Sequence, residues 1–355
     1  MAGFYARLFR LEPALGDLLS ALAVGAAVFL MGAAATSAMP VFEAPQLEPG
    51  AVFEEFGPVP PLPPQRRELV TLGARLFDDP GLSGSGQIAC ASCHNRELAF
   101  ADGISRSFGH DRRRLTRNAP SLQTSGWMTA LFWDGRAATL EAQAPMPLLH
   151  PDEMSADMAV VRARLAADPT YLAAFAAAFD DAAVTDERIA AALAAFQRSL
   201  TPRRGRWSRW LDGNPTALSE QQRRGLALFR GKGGCASCHN GPLLTDQRFH
   251  NLGISLYGGP RQDLGRYVVT GKPEDVGAFR TPSLLGVSRT APYMHHGGIP
   301  TLAAVVGFYN AGAAHPRRRP DQQDDALFPM TSPLLKPRGL TREEQADLVA
   351  FLEAL

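Results

Sequence analysis

The sequence predicts a mainly α-helical chain built from two tandem copies of one small domain, joined by long irregular loops. Three observations predict it: apolar residues recur at helical spacing behind capping residues, strand signals are sparse, and the chain matches itself when slid along its own length. Ser219 with Gln222 and Thr341 with Glu344 read as capping boxes. Ile189, Leu193, Phe196 and Leu200 form an apolar stripe behind Thr185. Many of the 33 glycines and 28 prolines fall in the connections between such segments, which is why the loops are expected to be long.

The repeat keeps its register. "GARLF" (Gly73 to Phe77) is answered by "GLALF" (Gly225 to Phe229). "RNAPSL", ending at Leu122, matches "FRTPSL", ending at Leu284, and "WDGRAATLEA" from Trp133 matches "HHGGIPTLAA" from His295, both at an offset of 162 residues. The boundary between the copies is expected near "PRRGRWSRWLDGNP", Pro202 to Pro215.

With 355 residues, 45% hydrophobic content and a net charge of +1, the chain is long enough for two cores, and its charge balance points to neither nucleic acid nor an acidic substrate. Its first residues stand apart. Arg7 and Arg10 precede the apolar run Leu18 to Ala35, and "ATSAM" follows, which is the layout of a secretory signal cut near Ala38 or of an uncleaved membrane anchor. Either way the remainder is expected outside the cytoplasm, in the periplasm. The stretch 39–65, rich in proline, reads as a linker or extended arm.

The four cysteines fall as two identical pentapeptides, "CASCH" at Cys90 to His94 and at Cys235 to His239. In Cys-x-x-Cys-His the two thiols add across the vinyl groups of haem, and the following histidine coordinates iron from the proximal side. A redox dithiol or half a zinc site is the alternative, but no further cysteine completes a thiolate-rich site. The motifs therefore predict two covalently bound haem c groups on Cys90, Cys93, Cys235 and Cys238, with His94 and His239 as iron ligands. Each copy then becomes a cytochrome c-like haem domain, in which the haem fills much of the core.

The copies differ after their matching segments. The first continues as "QAPMPLLHPDEM", supplying Gln143 and Glu153; the second continues as a short helix in which Leu302, Val305, Val306 and Tyr309 share a face. Thr301 is its expected N-cap, and Asn310 and Gly312 its end. Glu153 fits an acid and base for peroxide chemistry with Gln143 orienting the oxygens, or a solvated loop acid beside a surface amide. Tyr309 fits an anionic ligand that closes the second iron, or a packing tyrosine with a backbone partner.

"CASCH", "RNAPSL", "FWDGRAATLEAQ", "HPDEM", "GCASCHNGP" and "FRTPSLLGVSRTAPYMHHG" together resemble the bacterial dihaem cytochrome c peroxidase and MauG family, over Arg66 to Leu355. The resemblance implies that the first haem reacts with hydrogen peroxide, with Gln143 and Glu153 in its distal pocket and Trp133 relaying electrons between haems. It implies a calcium ion between the lobes, held by Asn118 and the carbonyls of Thr290 and Pro292, all hard oxygen donors. His110 falls where the peroxidase branch carries a removable distal histidine; its neighbours Arg106, Arg112, Arg113, Arg114 and Arg117 suggest a mobile, solvated loop. His295 matches a family histidine near the second haem, expected in a structural hydrogen bond, and His296 follows it. Tyr309 stands at the family's branch point, where the peroxidase branch has methionine and the MauG-like branch has tyrosine.

The expected organisation is a signal peptide or membrane anchor over 1–38, a Pro-rich linker over 39–65, an N-terminal haem domain over 66–208 and a C-terminal haem domain over 209–355. The expected activity is reduction of hydrogen peroxide with electrons from a small cytochrome c or cupredoxin. The alternatives are a MauG-like oxidase acting on residues of a protein substrate, and a dihaem electron-transfer protein without turnover.

Overall fold

The computed structural model describes residues 56–355. The leader and most of the proline-rich stretch lie outside the described residues. The described part is mainly helical. The first half holds α1 (Arg67–Asp78), the single turn α2 (Cys90–Cys93), α3 (Leu140–Gln143), α4 (Pro145–Leu149), α5 (Met158–Ala167), α6 (Pro169–Phe179) and α7 (Asp186–Ser199). The second holds α8 (Arg206–Leu211), α9 (Glu220–Arg230), β1 (Phe249–Asn251), α10 (Tyr267–Thr270), β2 (Ala278–Arg280), α11 (Leu302–Asn310) and α12 (Arg342–Leu352). β1 and β2 pair antiparallel, with Phe249 opposite Arg280. Among the described residues, no helix is long and apolar enough to cross a membrane.

The helices start where their capping chemistry dictates. Thr185 and Thr301 accept from the backbone N–H groups of Arg188 and Ala304. Ser219 with Gln222, and Thr341 with Glu344, close reciprocal boxes. Each such cap satisfies a donor that the first turn would leave orphaned, worth about 1 kcal/mol.

The two halves are built around the same helix crossing. α1 crosses α7 at Gly73, where a Cβ would lie 1.9 Å from the Ala192 carbonyl oxygen; α9 crosses α12 at Gly225, where a Cβ would lie 2.0 Å from the Asp347 carbonyl oxygen. Only glycine permits backbones this close. Four residues on, Phe77 meets Phe196 with ring centroids 4.9 Å apart, and Phe229 meets Phe351 at 5.2 Å. The sequence repeat "GARLF" and "GLALF" is thus one packing device used twice.

Each crossing anchors its own core. Leu72, Leu76, Phe77, Leu148, Phe175, Ile189 and Leu193 fill the first, and Trp207, Trp210, Leu226, Phe229, Leu302, Leu348 and Phe351 the second. The second core also takes Phe56, whose ring centroid is 5.6 Å from that of Trp207. The Trp127 indole N–H donates to the Pro60 carbonyl at 2.8 Å. The end of the proline-rich stretch therefore lies against the fold, not away from it as a free linker.

The 162-residue offset survives as backbone geometry. Leu131 bridges Ala137 and Tyr293 bridges Ile299. Phe132 and Met294 both take positive φ, 67° and 74°, and so do Gly135 and Gly297. A bulky residue in that region is strained, and the same strain at matched positions marks one inherited hairpin-like turn.

Because nothing but hydrogen fits at the crossings, Gly73→Ala and Gly225→Ala are each expected to destabilise the protein by about 1–3 kcal/mol or more, from overpacking. Denaturant unfolding of the haem-loaded variants checks this.

Candidate functional site

Both pentapeptides open on one continuous cavity of about 1560 Å³. In the first lobe, Cys90, Cys93 and His94 line it; in the second, Cys235, Cys238 and His239 do. The His94 Nδ1–H donates to the Phe100 carbonyl at 2.8 Å, and the His239 Nδ1–H donates to the Leu244 carbonyl at 3.0 Å. Each bond fixes one tautomer and leaves Nε2 with a lone pair for the cavity, the arrangement of a metal-ligating histidine. Burial lowers the pKa of both rings, so both are neutral and able to bind a metal.

The four thiols are not joined in disulfides. Burial pushes Cys90 and Cys235 up to about 12, which disfavours a low-pKa redox dithiol. Beside the second motif, donor atoms of Cys238, Asp246 and His250 lie within 4.8 Å of one another. His250 Nε2 is 2.8 Å from Asp246, and hydrogen bonds to Cys238 and Asp246 push its pKa up to about 9. This trio competes with a thioether at Cys238 but offers a cation only three donors.

The far walls of the two lobes are unlike. In the first, Gln143 at the end of α3, Pro147 in α4 and Glu153 in the following loop face the cavity. The Gln143 amide oxygen accepts from Gln197 on α7 at 3.4 Å, which frees its N–H groups for the cavity. Glu153 is half-buried, and desolvation raises its pKa despite the nearby charges of His150 and Arg136. In the second lobe the wall is Tyr309, in the last turn of α11. Its phenol has no hydrogen-bond partner among the described residues, and burial with the Cys235 and Cys238 sulfurs nearby raises its pKa. A packing tyrosine with a backbone partner is not what is seen. At the 162-residue offset, the position of Tyr309 is held in the first lobe by Pro147.

Between the lobes, Trp133 lines the same cavity, its indole N–H donating to the Asn118 carbonyl at 2.9 Å. Asn118 is buried; its side-chain amide donates to Ile104, and its backbone N–H donates to His295. The Asn118 amide oxygen and the carbonyls of Thr290 and Pro292, on the same cavity wall, accept no hydrogen bond among the described residues. His295 is stacked on Phe279 with centroids 3.6 Å apart, and burial pushes it down to about 3. Its ring is stacked and makes no hydrogen bond among the described residues, and its backbone carbonyl accepts from Asn118.

Two sequence expectations concern the segment 106–117. His110 does not line the cavity: its backbone N–H is held by the carbonyls of Asp152 and Glu153, its Nε2 lies 3.7 Å from Asp111, and its buried Nδ1 has no partner among the described residues. Arg117 is not on a solvated loop but pairs with Asp134 at 2.6 Å and, in two-pronged fashion, with Asp263 at 2.7 and 2.8 Å, joining the lobes. The order of the segment comes from this pair and from the Asn118 backbone bond.

Sequence reasoning missed Gln197 and Arg280. Gln197 is the polar residue next to the apolar stripe of α7; Arg280 is the register partner of Asn118 within "FRTPSL". Arg280 lines the cavity and is buried, with no carboxylate within ion-pair distance among the described residues. Paired thiols beside a neutral imidazole, twice over, and a buried cation facing the same space all fit haem c, whose propionates are anionic.

The family described as di-haem cytochrome c peroxidase matches residues 67–216. The chain is 38% identical over 339 residues to a protein named cytochrome-c peroxidase IdrP1 from Denitromonas iodatirespirans, covering 86% of this chain and 87% of that protein. It is 40% identical over 308 residues to the methylamine utilization protein MauG of Methylorubrum extorquens, covering 85% and 82%. Among solved structures, a MauG-like protein associated with microbial copper homeostasis superposes with a TM-score of 0.74 at 36% identity, covering 86% of this chain and 94% of that one. The diheme peroxidase BthA from Burkholderia thailandensis superposes at 0.69 and 29% identity, covering 87% and 94%.

The folded protein binds the Glu153 proton more tightly than the unfolded chain does, so its contribution to stability falls as pH rises from the ordinary carboxyl range through the raised pKa. Glu153→Gln removes that penalty. The variant is expected to be more stable than the parent at pH 7, with the difference vanishing below about pH 4, read by denaturant unfolding at both pH values.

Proposed function

The chain belongs to the di-haem cytochrome c peroxidase family, and we propose that its first lobe is the peroxide-reacting half and its second lobe the electron-exchanging half. As a family member it is an oxidoreductase of the peroxidase type with two haem c groups. The observation that carries the division is the register pair Pro147 and Tyr309: one wall position offers no donor, the other a phenol. When bound, the haem iron supplies the redox chemistry. The chain's residues do the rest.

In this reading Cys90, Cys93, Cys235 and Cys238 would form the thioethers, and His94 and His239 would bind iron through Nε2. Tyr309 would offer its phenol to the second iron, while Pro147 offers no donor at the matching position of the first lobe. Glu153 takes a proton from the near oxygen of hydrogen peroxide and returns it to the leaving oxygen; a pKa raised by burial suits a group that must both accept and donate. Gln143, its oxygen engaged by Gln197, would donate an N–H to the peroxide. Trp133, fixed through Asn118, carries electrons across the lobe boundary. A calcium ion at the unclaimed oxygens of Asn118, Thr290 and Pro292 is supported by their hard-donor chemistry. His110 takes no part.

The mouth of the cavity carries Arg106, Arg114 and Arg261, close enough to one another that their repulsion lowers the Arg106 pKa beside the effect of burial. None has an acidic partner among the described residues, and Leu256 and Val268 are exposed nearby on the same rim. This surface suits an acidic small redox protein, a cytochrome c or cupredoxin. A second reading, a MauG-like oxidase acting on residues of a protein substrate, is favoured by tyrosine at position 309. The signal-like layout of the first residues supports a periplasmic setting for either reaction.

Glu153→Gln is expected to slow the reaction with peroxide by about 10²–10⁴-fold, measured by stopped-flow absorbance; an unchanged rate would remove Glu153 as acid and base. Tyr309→Phe is expected to change the spectrum of the second haem alone. Electron transfer from an acidic donor is expected to slow as ionic strength rises, since salt screens the arginine rim. Adding one equivalent of peroxide to the fully oxidised protein separates the two readings: prompt reaction supports the oxidase, and a requirement for prior reduction supports the peroxidase.

A further inference from the structure

Arg280 is a buried cation with no acidic partner among the described residues. It sits at the end of β2, 9% exposed, and its guanidinium touches only the Met128 sulfur at 3.0 Å and the carbonyls of Phe132 and Thr281 at 3.4 Å. Desolvation lowers its pKa to about 10, with no charged neighbour contributing, so it remains a cation at neutral pH. By contrast Arg117, also withdrawn from solvent, has two carboxylates. A guanidinium buried without an anion is strongly unfavourable, and no acid of the described chain relieves it.

The relief must come from the cavity that Arg280 lines together with His239 and Tyr309. We propose that Arg280 binds a propionate of the second lobe's haem, in the two-pronged geometry that guanidinium and carboxylate share. This rests on the reading that the second lobe carries a haem on Cys235 and Cys238. One feature assigns Arg280 to that haem. It stands two residues before Pro282, whose backbone lies against the His239 ring, as Asn118 stands two residues before Pro120, whose backbone lies against His94. The first lobe thus has a neutral amide where the second has a cation.

Arg280 also ties this haem to the bridging aromatic. Its backbone N–H donates to the Trp133 carbonyl at 2.8 Å, so the residue that grips the propionate holds Trp133 as well. The electrostatic consequence is specific to one haem: a paired propionate no longer favours the ferric state as an unpaired one does. Arg280 therefore raises the reduction potential of the second haem against the pull of Tyr309.

The test uses the full-length, haem-loaded protein with Arg280→Gln and Arg280→Lys. Haem content, the potential of each haem by spectroelectrochemistry, and the propionate bending band by resonance Raman are measured. Arg280→Gln is expected to lower the potential of the second haem, leave that of the first nearly unchanged and shift the propionate band; Arg280→Lys is expected to keep most of the potential but shift the band. Unchanged potentials and band in a variant with two haems overturn the proposal, as do equal shifts of both haems. Should Arg280→Gln fail to assemble, an unmoved band in Arg280→Lys overturns it by itself. A parent protein with fewer than two haems would instead overturn the reading on which the proposal rests.

Discussion

The bond from each motif histidine to a backbone carbonyl sets the terms for both lobes. His94 is held by Phe100 and His239 by Leu244. Both carbonyls are delivered by non-glycine residues at positive φ, 60° for Phe100 and 52° for Leu244. Such a backbone costs about 1–3 kcal/mol and persists only where surrounding packing over-determines it. Here Phe100 packs on Phe77 and Leu244 is fully buried in the second core. The helix crossings at Gly73 and Gly225 build that packing, so core, loop strain and imidazole orientation form one chain of dependence.

On that common frame the lobes diverge by single residues in register. Asn118 corresponds to Arg280, Trp133 to His295, Gln143 to Val305 and Pro147 to Tyr309 at the same offset. Each pair trades one side chain in the first lobe for a charged, stacked, apolar or phenolic one in the second. The two motif histidines stay alike in their Nδ1–carbonyl bonds, as the proposed coordination would require. The distal sides are free to differ, and a division of labour needs them to.

The helical class, the caps at Thr185, Ser219, Thr301 and Thr341, and the repeat were legible because each is a local signal: a periodicity, a capping pair or a matched word. The paired cysteines and histidines were legible because their spacing carries chemistry. Other features were not. Nothing in the proline-rich stretch near Phe56 announces that its ring enters the second core, since the segment has no periodicity and its partner Trp207 is distant in sequence. Arg117 read as one of a run of solvated arginines because its partner Asp263 lies in the other lobe. His110 was placed by likeness of position, but it is not among the residues lining the cavity, and its backbone N–H is held by the loop carbonyls of Asp152 and Glu153. Arg280 was hidden in a matched word whose match drew attention to likeness when the informative fact was the difference from Asn118.

The central claim is that two like proximal sides serve one open and one closed iron. Titrating the fully oxidised protein with cyanide and following the spectrum of each haem tests it directly. The account predicts one cyanide bound per chain, at the haem attached to Cys90 and Cys93, with the haem beside Tyr309 unchanged. Binding at both haems, or at the second alone, would contradict it.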